Sequence, residues 1–103
     1  SGKADIIYTS MVISPSDAFK AKLLAKAGGD QVPICAPNAY DAVYVVSSAI
    51  KSVGLDADKL ADAIRSTNYT GESGQVTFDE NGNLTNATYV VKRVENGSAT
   101  VVK

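Results

Sequence analysis

Oxygen-bearing side chains alternate in the segment VTFDENGNLT, where Asp79, Asn81 and Asn83 have the spacing with which a calcium-binding loop begins. An EF-hand loop that began at Asp79 would need Gly at its sixth position and a bidentate Glu at its twelfth. Those two positions hold a leucine and a valine. The Asn81-Gly82 pair is instead typical of a turn, because both residues tolerate positive φ. The segment therefore predicts a turn between strands, and no metal site is expected.

A second arrangement with chemical meaning is the segment from Ser48 to Lys51, which matches the S-x-x-K motif of acyl-enzymes. A serine and a lysine three residues apart share one face of a helix, so the lysine could serve as the base. The partner motifs of that class, S-D-N and K-T-G, do not occur in the sequence. We therefore interpret Ser48 as a polar position on a helix and Lys51 as a side chain that reaches solvent from the helix end. The chain is not predicted to be an enzyme.

Histidine, cysteine and tyrosine content narrows the chemistry further. The chain has no histidine and one cysteine, Cys35, which excludes His-based proton transfer, Cys-His catalysis and multi-cysteine zinc sites within it. One cysteine cannot form an internal disulfide, and we expect Cys35 to be a buried, unreactive thiol. We do not expect the tyrosines to form a stacking platform, because they are spread along the sequence: Tyr8, Tyr40, Tyr44, Tyr69 and Tyr89.

Four segments match the N-glycosylation acceptor pattern, beginning at Asn68, Asn83, Asn86 and Asn96. Asparagine is also frequent in turns, and threonine is frequent in strands. The same letters therefore arise without glycans, and the sequence leaves both states open.

Size and charge limit the partners. The 103 residues, 45% of them hydrophobic, suffice for one globular domain. The 10 basic and 11 acidic residues are scattered and give a net charge of -1, so nucleic acids and anionic membranes are not expected as partners. No apolar segment reaches the roughly 20 residues that a membrane-spanning helix needs. A Gly-rich phosphate loop is absent, and no cofactor is expected.

Hydrophobic periodicity and capping residues predict an N-terminal strand, three helices and a C-terminal β-hairpin region. The fold class is α/β, or α+β if the chain is taken as an isolated piece. The predicted strands are Asp5 to Ile13, Gln75 to Phe78, Thr88 to Val94 and Ala99 to Val102, with a hairpin turn at Asn96-Gly97. The predicted helices run from Pro15, after an N-cap at Ser14, to Ala27, from Pro37 to Gly54, and from an N-cap at Asp56 to about Ser66.

The longest predicted helix is apolar around most of its circumference. Its main stripe consists of Ala39, Ala42, Val43, Val46, Ala49, Ile50 and Val53, with Tyr40, Tyr44 and Val45 beside it. A helix of this kind is buried on several sides. The remaining elements are short, so we expect that they cannot cover it by themselves.

Two long segments, AYDAVYVVSSAI and LDADKLADAIRSTNYTGESGQVTFDENGNLTNATYVVKRVENG, carry a family resemblance in their order and spacing. The chain resembles the C-terminal third of the branched-chain amino-acid-binding proteins, the type I periplasmic substrate-binding proteins of bacterial ABC importers. The likeness covers roughly Ala4 to Lys103, so residues 1–103 are interpreted as a single C-terminal segment of that fold.

The resemblance implies a two-lobed, extracytoplasmic protein that closes on an amino acid or similar solute and delivers it to a membrane permease. It places the strand near Ile6 to Tyr8 in the second lobe and the helices from Pro15 to Ser66 in the first. The hairpin from Thr88 to Val102 then returns to the second lobe. The chain would contribute part of the cleft and of the hinge.

The resemblance also limits which residues contact the solute. The main ligand anchors of the family lie upstream of the matched segment and have no counterpart here. The segment before the AYDAV helix approaches the cleft in such proteins, which makes Cys35 and Tyr40 the candidate ligand-binding residues. Cys35 departs from the larger apolar or aromatic residue expected there. Because half a cleft cannot pair both charges of an amino acid, we expect the chain alone to bind amino acids weakly or not at all.

Two further expectations follow from the apolar helix. The side formed by Val43, Val46 and Ile50 lacks a cover, so a homodimer, or a domain swap of the hairpin from Thr88 to Val102, is expected. The alternative to a solute-binding segment is an autonomous α/β protein-interaction module that binds no small molecule.

Overall fold

The order of helices and strands is the predicted one, with one additional strand. The computed structural model describes residues 5–102; residues 1–4 and 103, the two ends of the predicted segment, lie outside the described residues. The elements are β1 (Ile6–Met11), α1 (Asp17–Ala27), α2 (Ala36–Val53), α3 (Ala57–Arg65), β2 (Asn68–Gly71), β3 (Gly74–Thr77), β4 (Tyr89–Glu95) and β5 (Ser98–Val101). In this part of the chain no helix combines the length and hydropathy of a membrane span.

The starts of α1 and α3 are set by polar side chains that accept backbone hydrogen bonds. Asp56 caps α3 as predicted, and its carboxylate accepts the backbone N–H of Lys59 at 3.1 Å. The predicted cap of α1 at Ser14 is wrong, because the helix begins two residues later. Ser16 has extended backbone torsions, and its Oγ accepts the N–H of Phe19 at 3.1 Å.

The two ends of the described chain pair in one antiparallel sheet with the strand order β1-β4-β5. In β1 and β4, Ile6 lies opposite Val94. The hairpin of β4 and β5 turns at Asn96 and Gly97, whose φ values of 52° and 78° are both positive. The predicted hairpin and its turn are therefore confirmed.

A second, two-stranded sheet is formed by β2 and β3. β2 was not predicted, because asparagine and glycine, which stand at its ends, are depleted in strands. The predicted turn near Asp79 is present, although only Gly82 of the Asn81-Gly82 pair has positive φ, at 85°. The backbone N–H of Gly82 donates to the carbonyl of Asp79 at 3.0 Å, which closes the turn.

The buried line of α2 differs from the predicted stripe. It recurs every four residues and consists of Pro37, Asp41, Val45 and Ala49. In the predicted stripe, by contrast, Val43 is 68% exposed, Val46 43% and Ile50 37%. The expectation that this side of the helix lacks cover is confirmed, whereas its assignment as the main buried face is wrong.

The chain forms two packing units. One is the three-stranded sheet; the other is α2 packed on α3 and β2, with β3 paired to β2. The Cα radius of gyration is 17.1 Å, against about 13 Å for a compact domain of 100 residues. The accessible surface is 7486 Å², whereas a compact protein of this mass has roughly 5,500 Å². The two units therefore leave unusually large surfaces uncovered.

Candidate functional site

The candidate ligand-binding residues lie at the start of α2, but they do not share one groove. Tyr40 is 42% exposed and lines a groove with Phe19 and Leu23 of α1. Cys35 is the N-cap residue of α2, and it is not among the residues that line this groove. Its thiol is free and exposed, so the expectation of a buried thiol is wrong. The reason is its position just before the helix, outside the packing of α2 on α3 and β2.

A cavity of about 300 Å³ lies where the two packing units meet, close in sequence to Cys35. Its lining includes Ser10, Met11 and Lys92 of the sheet, and on the other side Lys20 of α1, Ile34 before α2 and Pro37 of α2. Ile34 immediately precedes Cys35, so the segment before α2 does border the space between the units. The structure does not place the Cys35 side chain among its lining residues.

Tyr40 belongs to a row of aromatic rings that joins α1, α2 and β2. The Tyr40 ring meets Phe19 edge-on and lies beside Tyr44, with ring centroids 5.0 Å apart in both pairs. Tyr44 in turn stacks on Tyr69 at 6.3 Å. The tyrosines were expected to form no stacking platform; Tyr44 and Tyr69 are the stacked pair of this row, whereas Tyr40 meets Phe19 edge-on and Tyr44 at a tilt. The four-residue spacing within α2 was the available signal for the contact between Tyr40 and Tyr44.

Hydrogen bonding and burial alter the acidity of this row. The Tyr40 and Tyr44 hydroxyl groups lie 3.2 Å apart, and this hydrogen bond is the main cause that raises the pKa of Tyr40 to about 12. Burial, followed by the nearby negative charge of Asp41, raises the pKa of Tyr69. Both phenols therefore remain neutral at physiological pH.

Asp41 is the most deeply placed charged residue near this row, with 2% of its surface exposed. Its carboxylate accepts the backbone N–H groups of Glu72 at 2.9 Å and Ser73 at 2.7 Å, and also the Ser73 hydroxyl. A buried carboxylate needs such donors, because an unpaired charge is costly to bury. No role was predicted for Asp41, although a single acidic residue within an apolar helix was the available signal.

The turn between β2 and β3 is shaped to receive this carboxylate. A Cβ atom added at Gly71 would overlap the Asp41 carboxylate, so only glycine permits the close approach. Glu72, the next residue, extends the network to α1. Its two carboxylate oxygens accept the N–H of Ser16 at 2.7 Å and the Ser16 hydroxyl at 2.9 Å.

The other motifs with chemical meaning lie elsewhere in the structure. The Asp79 carboxylate accepts the N–H groups of Asn81 at 2.9 Å and Asn83 at 2.8 Å, and these bonds, Asn83 first, lower the pKa of Asp79. Ser48 and Lys51 are both exposed on α2. Across residues 5–102, no group of three or more acidic or cysteine side chains is arranged to hold a metal ion.

These features define the class of protein to which the segment belongs. One strand, a helical unit with a small hairpin, and a second hairpin that returns to the first strand are part of a type I periplasmic-binding fold. Residues 5–96 match the family described as the receptor family ligand binding region. The chain belongs to this family.

Two binding proteins are similar to the chain in sequence or in structure. The leucine-, isoleucine-, valine-, threonine- and alanine-binding protein of Pseudomonas aeruginosa is 37% identical over 76 residues, which are 73% of this chain and 19% of that protein. The crystal structure of a leucine-binding protein from Thermotoga maritima superimposes with a TM-score of 0.71 and 30% identity, covering 96% of this chain and 30% of that one. The chain thus spans less than a third of either relative. Both relatives are named as binding proteins.

Replacement of Asp41 by alanine is expected to lower the free energy of unfolding by about 2–4 kcal/mol, because two backbone N–H groups and a hydroxyl lose their acceptor. Gly71→Ala is expected to destabilise the chain through the overlap with the same carboxylate. Urea denaturation followed by circular dichroism measures both. The control is Asp58→Ala, which removes an exposed acidic residue from the first turn of α3. It should lower the free energy of unfolding by less than about 1 kcal/mol. Equal effects of Asp41→Ala and Asp58→Ala would contradict the assigned role of Asp41.

Tyr44→Phe is expected to move the pKa of Tyr40 from about 12 towards its ordinary value of 10.0, because the main cause of its increase is the hydroxyl of Tyr44. Since the folded-state pKa lies above the unfolded one, the contribution of this hydrogen bond to stability is complete below pH 10 and is lost between pH 10 and about 12. Ultraviolet titration of tyrosinate measures the pKa, with Tyr89→Phe as the control. An unchanged high-pH phase in Tyr44→Phe would contradict the assignment.

Proposed function

We propose that the chain is the C-terminal portion of an extracytoplasmic solute-binding protein of an ABC importer. It contributes part of the cleft and of the hinge for an amino acid or a similar small solute, and the whole protein delivers that solute to a membrane permease. The proposal assigns it no catalytic step.

The path of the chain between the two packing units carries the proposal. β1 and the hairpin of β4 and β5 form one sheet, whereas every element between them belongs to the other unit or adjoins it. The chain therefore crosses between the units twice, once after Met11 and once before Tyr89. Crossings of this kind suit a protein whose two lobes close on a ligand, because hinge segments absorb the motion while each lobe remains rigid.

The solute class and the candidate cleft residues are part of the proposal. The names of the two relatives favour an aliphatic amino acid. Cys35 is assigned to the cleft because it is exposed and follows Ile34, which lines the cavity between the units. Tyr40 is assigned to the edge of the cleft, where its partly exposed ring is held in place by Phe19 and Tyr44. The remaining ligand contacts come from the upstream part of the protein.

The test is a chimera in which this chain replaces the matched segment of the leucine-binding protein from Thermotoga maritima. Calorimetry is expected to detect leucine binding by the chimera and weak or no binding by the chain alone, because the chain lacks partners for both ligand charges. A micromolar leucine complex of the chain alone would contradict the proposal. So would a folded chimera that does not bind leucine.

The place of Cys35 is tested in the same chimera by the rate of its alkylation with a maleimide, followed by mass spectrometry of the peptide that contains it. Saturating leucine is expected to slow the reaction of Cys35, because the closed cleft would shield an otherwise exposed thiol. A cysteine introduced at exposed Asp58 of α3 is the control and should react at the same rate with and without leucine. An unchanged rate at Cys35 would remove it from the cleft.

Self-association is the expected state of the chain alone. The exposed side chains of Val43, Val46 and Ile50 form an apolar surface on α2, and the excess accessible surface of roughly 2,000 Å² exceeds the approximately 800 Å² that each partner buries in a standard interface. Exchange of the hairpin of β4 and β5 between two copies is a second way in which a dimer could bury exposed surface.

Size exclusion with light scattering over a wide dilution series measures the assembly. A dimer that Val46→Glu dissociates and Leu55→Glu does not would support the α2 surface, since Leu55 is 80% exposed outside that face. A dimer insensitive to Val46→Glu would favour the hairpin exchange. A cooperative monomer at every concentration would instead favour the autonomous interaction module.

A further inference from the structure

A groove separate from the space between the packing units runs along α1 and has a volume of about 300 Å³. Sites for small molecules have volumes of roughly 300–1,000 Å³, so the groove is at the lower end of that range. Five of its lining residues come from one face of α1: Ala18, Phe19, Lys22, Leu23 and Lys26. Tyr40 and Glu72 complete it from α2 and from the turn between β2 and β3.

The apolar wall of this groove is fixed before any ligand arrives. Phe19 is 8% exposed, and its ring is held edge-on by Tyr40. The Tyr40 ring is itself held by the hydroxyl contact and ring contact with Tyr44. A preformed apolar wall binds an apolar body without first having to order its own side chains.

The charged groups of the groove favour a negatively charged partner. Lys22 and Lys26 are exposed and lie four residues apart, so they are neighbours on one face of α1. Within residues 5–102 neither lysine forms an ion pair, whereas Lys20 of the same helix pairs with Asp17 at 3.2 Å. Among the described lining residues the one carboxylate is Glu72, and both of its oxygens accept hydrogen bonds from Ser16. Two lysine charges therefore face one carboxylate, which is hydrogen-bonded to Ser16, so the groove keeps a net positive charge beside its apolar wall.

We propose that this groove binds a small amphipathic anion, an alkyl or aryl monocarboxylate. Its carboxylate lies between the ammonium groups of Lys22 and Lys26, and its apolar body lies on Phe19, Leu23 and Tyr40. The groove shares Tyr40 with the proposed edge of the amino-acid cleft, whereas its other lining residues lie outside that cleft, and the proposal does not rest on the proposed function.

The test uses octanoate and 1-octanol, which share an alkyl chain and differ in charge, in NMR titrations of the chain labelled with nitrogen-15. Octanoate is expected to shift the amides of α1 and of Tyr40, and to bind more weakly as salt is added. The double variant Lys22→Gln/Lys26→Gln should weaken octanoate binding by roughly tenfold or more, because charge-assisted hydrogen bonds are lost. It should leave octanol binding unchanged. Leu23→Ser should weaken both ligands.

The matched control is Lys59→Gln, which removes an exposed lysine from α3 outside the groove. It should change neither affinity, and circular dichroism confirms that each variant is folded. Equal affinity for octanoate and octanol would overturn the proposal. So would the absence of octanoate binding, or amide shifts that are confined to the exposed face of α2. Self-association of the chain through an interface that covers α1 would also overturn the proposal. Octanoate binding that is lost in the folded, leucine-binding chimera would show that the remaining polypeptide fills the groove, and would overturn it too.

Discussion

The carboxylate of Asp41 is the contact that joins the separate elements of the helical unit. It lies on the buried line of α2 and accepts hydrogen bonds from the turn between β2 and β3. The turn can approach because position 71 is glycine. Glu72 of the same turn then holds Ser16, which caps α1. Three regions that are distant in sequence are thus joined through two carboxylates.

This polar network matters because the apolar core of the described chain is small. Its buried apolar side chains include Phe19, Val45, Ala49 and Val76, while much of the remaining α2 surface is exposed. Small cores contribute little stability, so specific hydrogen bonds to a buried charge have a correspondingly large share. The exposed apolar surface of α2 is consistent with a chain that spans less than a third of the length of its relatives. The three-stranded sheet is held by antiparallel strand pairing, the helical unit by the packing of α2 on α3 and β2, and a cavity of about 300 Å³ lies between them.

Local chemistry made much of the fold predictable. The cap at Asp56 and the turn at Asn96-Gly97 each depend on residues that are neighbours in sequence. The family resemblance also placed β1 and the final hairpin together in one lobe, and their pairing in one sheet agrees with that placement. The cap at Ser14 was wrong by two residues because both serines suit an N-cap, and the one that caps α1, Ser16, is also held by Glu72, a contact distant in sequence.

Contacts between distant residues were not predictable in the same way. The partners of Asp41 are about thirty residues away, and no periodic pattern marks them. The exposed state of Cys35 depends on where the segment before α2 lies, which hydropathy does not encode. The aromatic row was partly visible as the i, i+4 pair of Tyr40 and Tyr44, but its contacts with Phe19 and Tyr69 depend on the packing of other elements.

The most direct measurement of the central claim is amide hydrogen exchange at Glu72 and Ser73, resolved by NMR. Both residues lie in a tight turn, where the Asp41 carboxylate is the acceptor of their N–H groups. The account predicts protection close to that of the amides in the middle of α2, since both would open only when the helical unit opens. Exchange at the rate of a free peptide, with α2 still protected, would contradict the account, because the turn would then not be held by Asp41.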